Sequence, residues 1–340
     1  MSIYDDKYDI RLAKYEEIPE IMDFIGTYWK KGHILSRDRK FFEYEMVIDG
    51  QVNFIIAKER ATGQISGLKG FLKASRDIGR LDSWGCMWKV KPNSIALLGV
   101  ELVKRTSMLT GSRGTLSIGG NPNTTIPILK KIFKFQNIGK MKHFYCLAIK
   151  GQYEVAIVKN LINYEVNNKY ISYVKKLDSY EMLVEEYDTS YGENAYPYKD
   201  LWYIKHRYYD HPIYKYSVFG LFDVKDSKKV EALLICREQE YKNTKVLRIV
   251  DYMGRQDLFR GLSWFFKDKL TTYEYIDFYC YGFNYEYILE AGMTELVEND
   301  DNIIPNYFSP YVEKNIDIWV GSMSGNPLFF KADGDQDRPS

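Results

Sequence analysis

Cysteine is sparse in this chain. Its four cysteines, Cys86, Cys146, Cys236 and Cys280, lie far apart, so neither a zinc knuckle nor a redox dithiol is encoded. Each sits in an apolar, strand-like run where cysteine acts as a small hydrophobe, which points to reduced thiols and a cytoplasmic setting. An excess of one charge sign is lacking too. There are 47 Lys and Arg against 46 Asp and Glu, a net charge of +1, with the two signs interspersed. No overall field therefore draws the chain to nucleic acid or to an anionic membrane. No apolar run approaches a membrane span, and the opening MSIYDDKYDIRLAKY has no signal-like apolar core. What abounds is tyrosine: 30 residues, 22 of them between 170 and 340. An apolar face with a polar tip suits either a dense core or the lining of a polar-ligand site.

With 45% hydrophobic and 27% charged residues, 340 residues suffice for two domains of ordinary size. Along the chain, strand and helix patterns interleave. YDIRLAK alternates, EEIPEIMDFIGTYW has helical spacing, and SRDRKFFEYEMV is a second helix with Ser36 as its expected N-cap. VNFIIAKE, ISGLKGFLKA and SWGCMWKV read as strands, followed by the helix ALLGVELVKRTSML, the strand TLSIGG, the helix TTIPILKKIFKF and the strand KMKHFYCLAI. The Asn-rich stretch near Tyr164–Lys169 reads as a connector. A similar order then repeats, with Asp178 as an expected cap and strands at YSVFGLFDV, KVEALLICRE, KVLRIVDYMG and YEYIDFYCYG.

The two halves align at a nearly constant offset: Gly99 with Gly261, Asn121 with Asn284, and His143-Phe144-Tyr145 with Asn306-Tyr307-Phe308. The fold class expected is mixed α/β, as two tandem copies of one domain spanning 1–165 and 166–340.

The strand–turn–helix SWGCMWKVKPNSIALLGVELV carries the first chemical reading. A helix start gathers free N–H groups suited to a pyrophosphate, and the preceding strand can offer amides to a thioester carbonyl. Val90 and Lys91 are the expected amide donors, with Gly99 at the helix entrance.

This order in 8–149 resembles the GCN5-related N-acetyltransferase superfamily. Where that fold carries R/Q-x-x-G-x-G/A, this chain reads PNSIALLGVELV, keeping Gly99 and placing Leu97 at the first glycine. Asn121 matches the asparagine often found on the family's fifth strand, and Leu129 stands where it often has a tyrosine acid. In the second half, RIVDYMG, YEYIDFYCYG, IIPNYFSPYVEKNIDI and KADGDQDRPS resemble two-domain sugar N-acyltransferases. That resemblance implies an acyl-CoA co-substrate, such as 3-hydroxybutyryl-CoA or acetyl-CoA, and no metal. It implies a dTDP-3-amino-3,6-dideoxyhexose acceptor, in the biosynthesis of bacterial surface polysaccharide such as lipopolysaccharide O-antigen. A tandem aminoacyl or peptidyl transferase and a decayed, non-catalytic ligand-binding protein are the alternatives.

On the acceptor side, the region between the first two helices holds Trp29, His33 and Ser36. His33 is the expected proton acceptor, because an aliphatic amine must lose a proton before it attacks. KHRYYDHPIYKY is the densest polar cluster, with Arg207 a candidate for phosphate and His211 for the acceptor; the spacing of His206 and His211 does not suit a metal. Asp251 ends an apolar run, where a carboxylate needs a partner or a function, and it is the second catalytic candidate. His143, Asn306 and Tyr307 are expected to face a cleft between the domains. The tail ADGDQDRPS begins like a calcium loop but lacks its closing Glu; disorder is the expectation for such a tail, with Asp335 or Arg338 the candidates to fold back on a nucleotide. The expected partners are small molecules alone, without nucleic acid or membrane, and the chain is expected to be a monomer.

Overall fold

A computed structural model describes every residue except 1, 225, 226, 228, 324 and 340. The main strands are β1 (Tyr8–Ala13), β2 (Gln51–Glu59), β3 (Ile65–Lys73), β4 (Asp82–Val90), β5 (Gly114–Ile118), β6 (Asn137–Lys140) and β7 (Lys142–Leu147) in the first half. The second half supplies β8 (Tyr173–Lys176), β9 (Tyr216–Phe222), β10 (Ala232–Tyr241), β11 (Thr244–Gly254), β12 (Tyr275–Tyr281), β13 (Thr294–Leu296), β14 (Trp319–Ser322) and β15 (Phe329–Phe330). They build two mixed eight-stranded sheets. The first runs β1-β2-β3-β4-β5-β14-β6, with the short strand Val47–Ile48 beside β2; the second runs β13-β7-β12-β11-β10-β9-β8, with β15 beside β12.

The two orders are the same once β7 and β14 are exchanged. β7 leaves the first half and pairs with β12, while β14 returns from the second half to pair with β5 and β6. A cut near residue 165 separates the sheets everywhere except at these two strands. The exchange also alters one correspondence drawn from sequence: the strand equivalent to His143-Phe144-Tyr145 is Trp319–Ser322, not Asn306-Tyr307-Phe308, which enters a separate hairpin of 307–308 with 311–312. Asn121 and Asn284 do correspond, each lying between a fifth strand and the helix that follows.

The central strands β2, β3, β11 and β12 are buried on both faces, which is why they read as near-continuous apolar runs. On β2, Phe54 and Ile56 meet helix residues Ile21, Phe24, Phe42 and Met46, whereas Ile55 and Ala57 meet Leu98 and Leu102 of the helix Leu98–Lys104 on the other face. Trp84, Leu116 and Ile118 of the first sheet share one core with Leu233 and Tyr279 of the second and with Tyr203 and Tyr208 of the helical segment 201–209. The two domains therefore bury apolar surface against each other as a domain interior does. Two caps are shifted from expectation: Asp38, not Ser36, caps Arg39–Met46, and Ser179, not Asp178, caps Tyr180–Glu186. No helix among the described residues is long and apolar enough to cross a membrane.

Candidate functional site: an open fork and a filled one

In each sheet the fourth and fifth strands run parallel for a short stretch and then separate. In the first, β4 and β5 pair only from Asp82–Gly114 to Gly85–Ser117. Past that point β4 follows β3 alone, and a cleft of about 560 Å³ opens between Cys86–Lys89 and Thr115–Ile118. Gly119, Gly120, Asn121 and Trp29 extend its walls, and Asp335 and Gln336 of the tail stand at its edge.

A bulge shapes the fork. Gly70 opposes Cys86 and Lys69 opposes Trp88, so Met87 is the extra residue, at φ 38 and buried. A non-glycine residue held left-handed costs about 1–3 kcal/mol and persists only where its surroundings impose it. The Lys91 amide donates to the Ser66 carbonyl at 2.8 Å. It has no proton left for a ligand, so the donor role expected of Lys91 does not fall there. Antiparallel alternation then turns the amides of Val90 and Trp88 away from β3, towards the side from which β5 has departed.

Lys69 sits at the closed end of the fork. A Cβ on Gly85 would lie 2.6 Å from the Lys69 Nζ, so the glycine is what leaves room for the ammonium. Lys69 is buried, and burial pulls its pKa down to about 8. No carboxylate lies within ion-pair reach of it among the described residues. The sequence signal was present in ISGLKGFLK, a lysine between two glycines in an apolar strand.

The second fork is wedged where its strands part, and beyond the wedge a cleft of about 330 Å³ remains, lined by Tyr252, Gly254, Gln256, Gly282 and Phe283. β11 and β12 pair from Leu247–Ile276 to Ile249–Phe278 and then diverge. Into the gap goes the chain at 329–332: β15 pairs with Cys280 and Tyr281 of β12, and the Ala332 amide donates to the Val250 carbonyl of β11 at 2.8 Å. Asp251 lies beside this wedge, fully buried. Both its oxygens take Lys199 Nζ at 2.7 Å, and it also accepts from the Tyr208 hydroxyl and the Tyr252 amide. Lys199 reaches Asp333 at 2.6 Å as well. Saturated in this way, Asp251 is a structural anchor of the wedge and not the catalytic carboxylate expected of it.

The tail is ordered and largely buried, against the expectation of disorder. Arg207, expected to meet phosphate, donates instead to the Ala332 and Asp337 carbonyls at 3.2 and 3.0 Å. Asp337 pairs with Arg237 at 2.7 Å, and Arg338 with Glu45 at 2.6 Å. Gly334, at φ 56, presses on Ile118 and Trp84 where a Cβ would meet Ile118 at 2.6 Å. The tail thus leaves the second fork, crosses the domain interface and ends at the mouth of the first.

The remaining candidates scatter. His33 caps the helix Ile34–Arg37, its Nδ1 accepting from the Leu35 amide at 3.2 Å. Neutral His33 therefore carries its proton on Nε2. Burial, together with the Arg338 guanidinium, pulls its pKa down to about 4, so the role of proton acceptor is opposed by both tautomer and environment. His211 accepts from the Ile213 and Tyr214 amides, with its pKa pulled to about 3 by burial; it too is committed to its loop. Gly99 serves packing: a Cβ there would strike Trp88 Nε1 at 2.8 Å, and that indole donates to the Gly99 carbonyl at 2.9 Å. Leu97 is 62% exposed and does not obstruct the fork. Asn121 spends its side-chain oxygen on the Asn123 and Thr124 amides while lining the cleft. His143 is buried against Tyr279 and Asp277 in the second sheet, behind Asn306 and Tyr307, which line a small pocket on the other side of Gln336. Among the described residues no group of three or more His, Cys, Asp or Glu side chains is arranged to hold a metal.

No known family profile matches this chain, and no curated protein does. Solved structures do. A conserved Enterococcus faecalis V583 protein, described as a probable N-acyltransferase, superposes with a TM-score of 0.55 at 8% identity, over 85% of this chain and 70% of that one. A GCN5-related N-acetyltransferase from Anabaena variabilis ATCC 29413 gives 0.53 at 11% identity, over 93% and 73%. At such identities the likeness is one of fold, and the fold is two tandem domains of the GCN5-related N-acetyltransferase type.

Proposed function

We propose that the chain is an acyl-CoA-dependent N-acyltransferase, and that its acceptor is the amino group of a nucleotide-linked dideoxy aminosugar such as dTDP-3-amino-3,6-dideoxyhexose. The observation that carries the reading is the contrast between the forks: the first is open from the point where its strands part, with a cleft of about 560 Å³, whereas in the second that point is taken by 329–332 and a smaller cleft of about 330 Å³ is left beyond. The thioester lies along Cys86–Lys89, with the acyl group towards Lys69 and coenzyme A leaving past Gly119–Asn121. The acceptor enters from the tail side, where Asp335 and Gln336 meet the cleft.

The unprotonated amine attacks the thioester carbon directly. A C–N bond forms, the oxyanion is held by the outward amides of Trp88 and Val90, and the C–S bond then breaks. With His33 tied into its cap, Asp335, the carboxylate that lines the cleft, orients the ammonium; water takes one proton from the nitrogen before attack and a second as the tetrahedral adduct collapses. Lys69, titrating near the ~8.5 of an ordinary thiol, is matched to protonate the departing thiolate. The acyl group is proposed to be 3-hydroxybutyryl, the sugar product to serve surface-polysaccharide biosynthesis, and the chain to act as a cytoplasmic monomer. Incubation with acyl-CoAs and a panel of dTDP-amino sugars, read by mass spectrometry, tests this; a sugar gaining one acyl mass supports it, and no gain with any pair rejects it.

A further inference from the structure

We propose that the small pocket on the far side of Gln336 is an anion subsite that receives a phosphoryl group of the acceptor, with Lys331 as the charge that reads it. The proposal deepens the transferase reading above and rests on it for the identity of the ligand.

The pocket, about 50 Å³, is lined by Tyr214, Arg237, Arg248, Asn306, Tyr307 and Lys331, with Asp337, Gln336 and Arg338 at its border. Each arginine has a carboxylate: Arg237 has Asp337 at 2.7 Å, Arg248 has Asp277 at 2.7 Å, and Arg338 has Glu45 at 2.6 Å. Lys331 has none. It is 2% exposed, and its one hydrogen bond among the described residues runs to Asn306 Oδ1 at 3.3 Å, with its Nζ 4.6 Å over the Tyr307 ring. The Asn306 Nδ2, equally buried, makes no well-formed hydrogen bond among the described residues and has only the Tyr279 hydroxyl near it.

A buried donor left unsatisfied costs about 1–3 kcal/mol, and a buried ammonium without a counter-ion costs more. Of the pocket's four cations three are paired with carboxylates, which leaves Lys331 as the lining charge without one among the described residues. Burial and the neighbouring Arg248 pull Lys331 to about 7, and an arriving anion would restore its proton. These are the features of a site completed by a negatively charged ligand.

Position identifies the ligand. Gln336 lines both this pocket and the open fork, and Tyr307 donates to its side-chain oxygen at 3.3 Å. A molecule with its anion on Lys331 would pass Gln336 and place its other end in the acyl cleft. A sugar linked to a nucleoside diphosphate has that shape, with an amine on the sugar and charge on the phosphates. A charge-assisted contact to a phosphoryl oxygen is what an unpaired lysine best supplies.

The test is calorimetric titration of the full chain with thymidine diphosphate, inorganic phosphate and coenzyme A. Thymidine diphosphate is expected to bind. Lys331→Met and Asn306→Asp should each weaken it at least tenfold, the first by deleting the cation and the second by supplying a resident carboxylate. Lys331→Arg should keep affinity within about threefold, and coenzyme A affinity should be the same in all four proteins. Tighter binding of thymidine diphosphate than of inorganic phosphate assigns the pocket to the nucleotide; equal binding would overturn that assignment. No binding of thymidine diphosphate to the parent, or unchanged affinity in either weakening variant, would overturn the subsite. Coenzyme A heat persisting in that case leaves the transferase reading intact, whereas loss of coenzyme A binding alone would sink that reading and leave the subsite standing.

Discussion

Replacing Lys199 by Met tests whether that lysine anchors the wedge in the second fork. The Lys199 ammonium, 5% exposed, is 2.7 Å from Asp251 and 2.6 Å from Asp333, both fully buried. Methionine keeps the bulk of the stem but leaves two carboxylates facing each other without a cation. Removing one partner of a buried pair costs about 3–5 kcal/mol. Even beside Lys199, burial pushes Asp333 up to about 6. Without the lysine, the cheapest relief is protonation of one carboxylate, which then donates to the other. A carboxyl raised in the folded state binds more protons there than in the unfolded chain, so the penalty is full above its folded pKa and shrinks as pH falls towards the unfolded value near 4. Urea unfolding should therefore show a loss of about 3–5 kcal/mol at pH 8 and a clearly smaller one at pH 5.5. Limited proteolysis should cut the variant near 329–340 first, because that segment is what the lysine anchors. A loss under about 1 kcal/mol at pH 8, or a larger loss at pH 5.5 than at pH 8, would refute the argument.

Three further outcomes are expected. His33 and His206, pulled to about 4, and His211, pulled to about 3, stay neutral in the fold but charge in the unfolded chain near 6.5; urea midpoints should fall as pH drops from 6.5 to 4, and a flat profile would contradict their burial. Gly99→Ala should cost about 1–3 kcal/mol by driving a methyl into the Trp88 indole, read as a lowered thermal midpoint. Lys69→Met should lower kcat about tenfold to a hundredfold with coenzyme A affinity retained, and should flatten the rate's dependence on pH near 8; unchanged kcat would remove Lys69 from the reaction.

The strand and helix order was legible because each element carries its own period, and Val52 to Ala57 or Leu233 to Cys236 declare strands buried on both faces. The fork between Cys86 and Ile118 was legible for the same reason, as a strand–turn–helix followed by a strand. Long-range exchange was not. Nothing local in KHFYCL or WVGS says which sheet the strand will join, since each is apolar enough for either. The tail misled because its Asp, Gly and Pro content reads as disorder, whereas each charge has a distant partner: Lys199 for Asp333, Arg237 for Asp337, Glu45 for Arg338. Histidines drew attention by chemical type, yet His33 and His211 are spent on backbone amides. The two lysines with more to say, Lys69 and Lys331, were hidden by the commonness of lysine, although each interrupts an apolar run, GLKGF and FFKA.

The most direct test of the account is a crystal structure of the chain with coenzyme A. The pantetheine should lie between Cys86–Lys89 and Thr115–Ile118, its sulfur towards Lys69, with 329–332 still seated between β11 and β12. Coenzyme A lodged in the second fork with that segment expelled, or a first fork empty at saturating ligand, would contradict it.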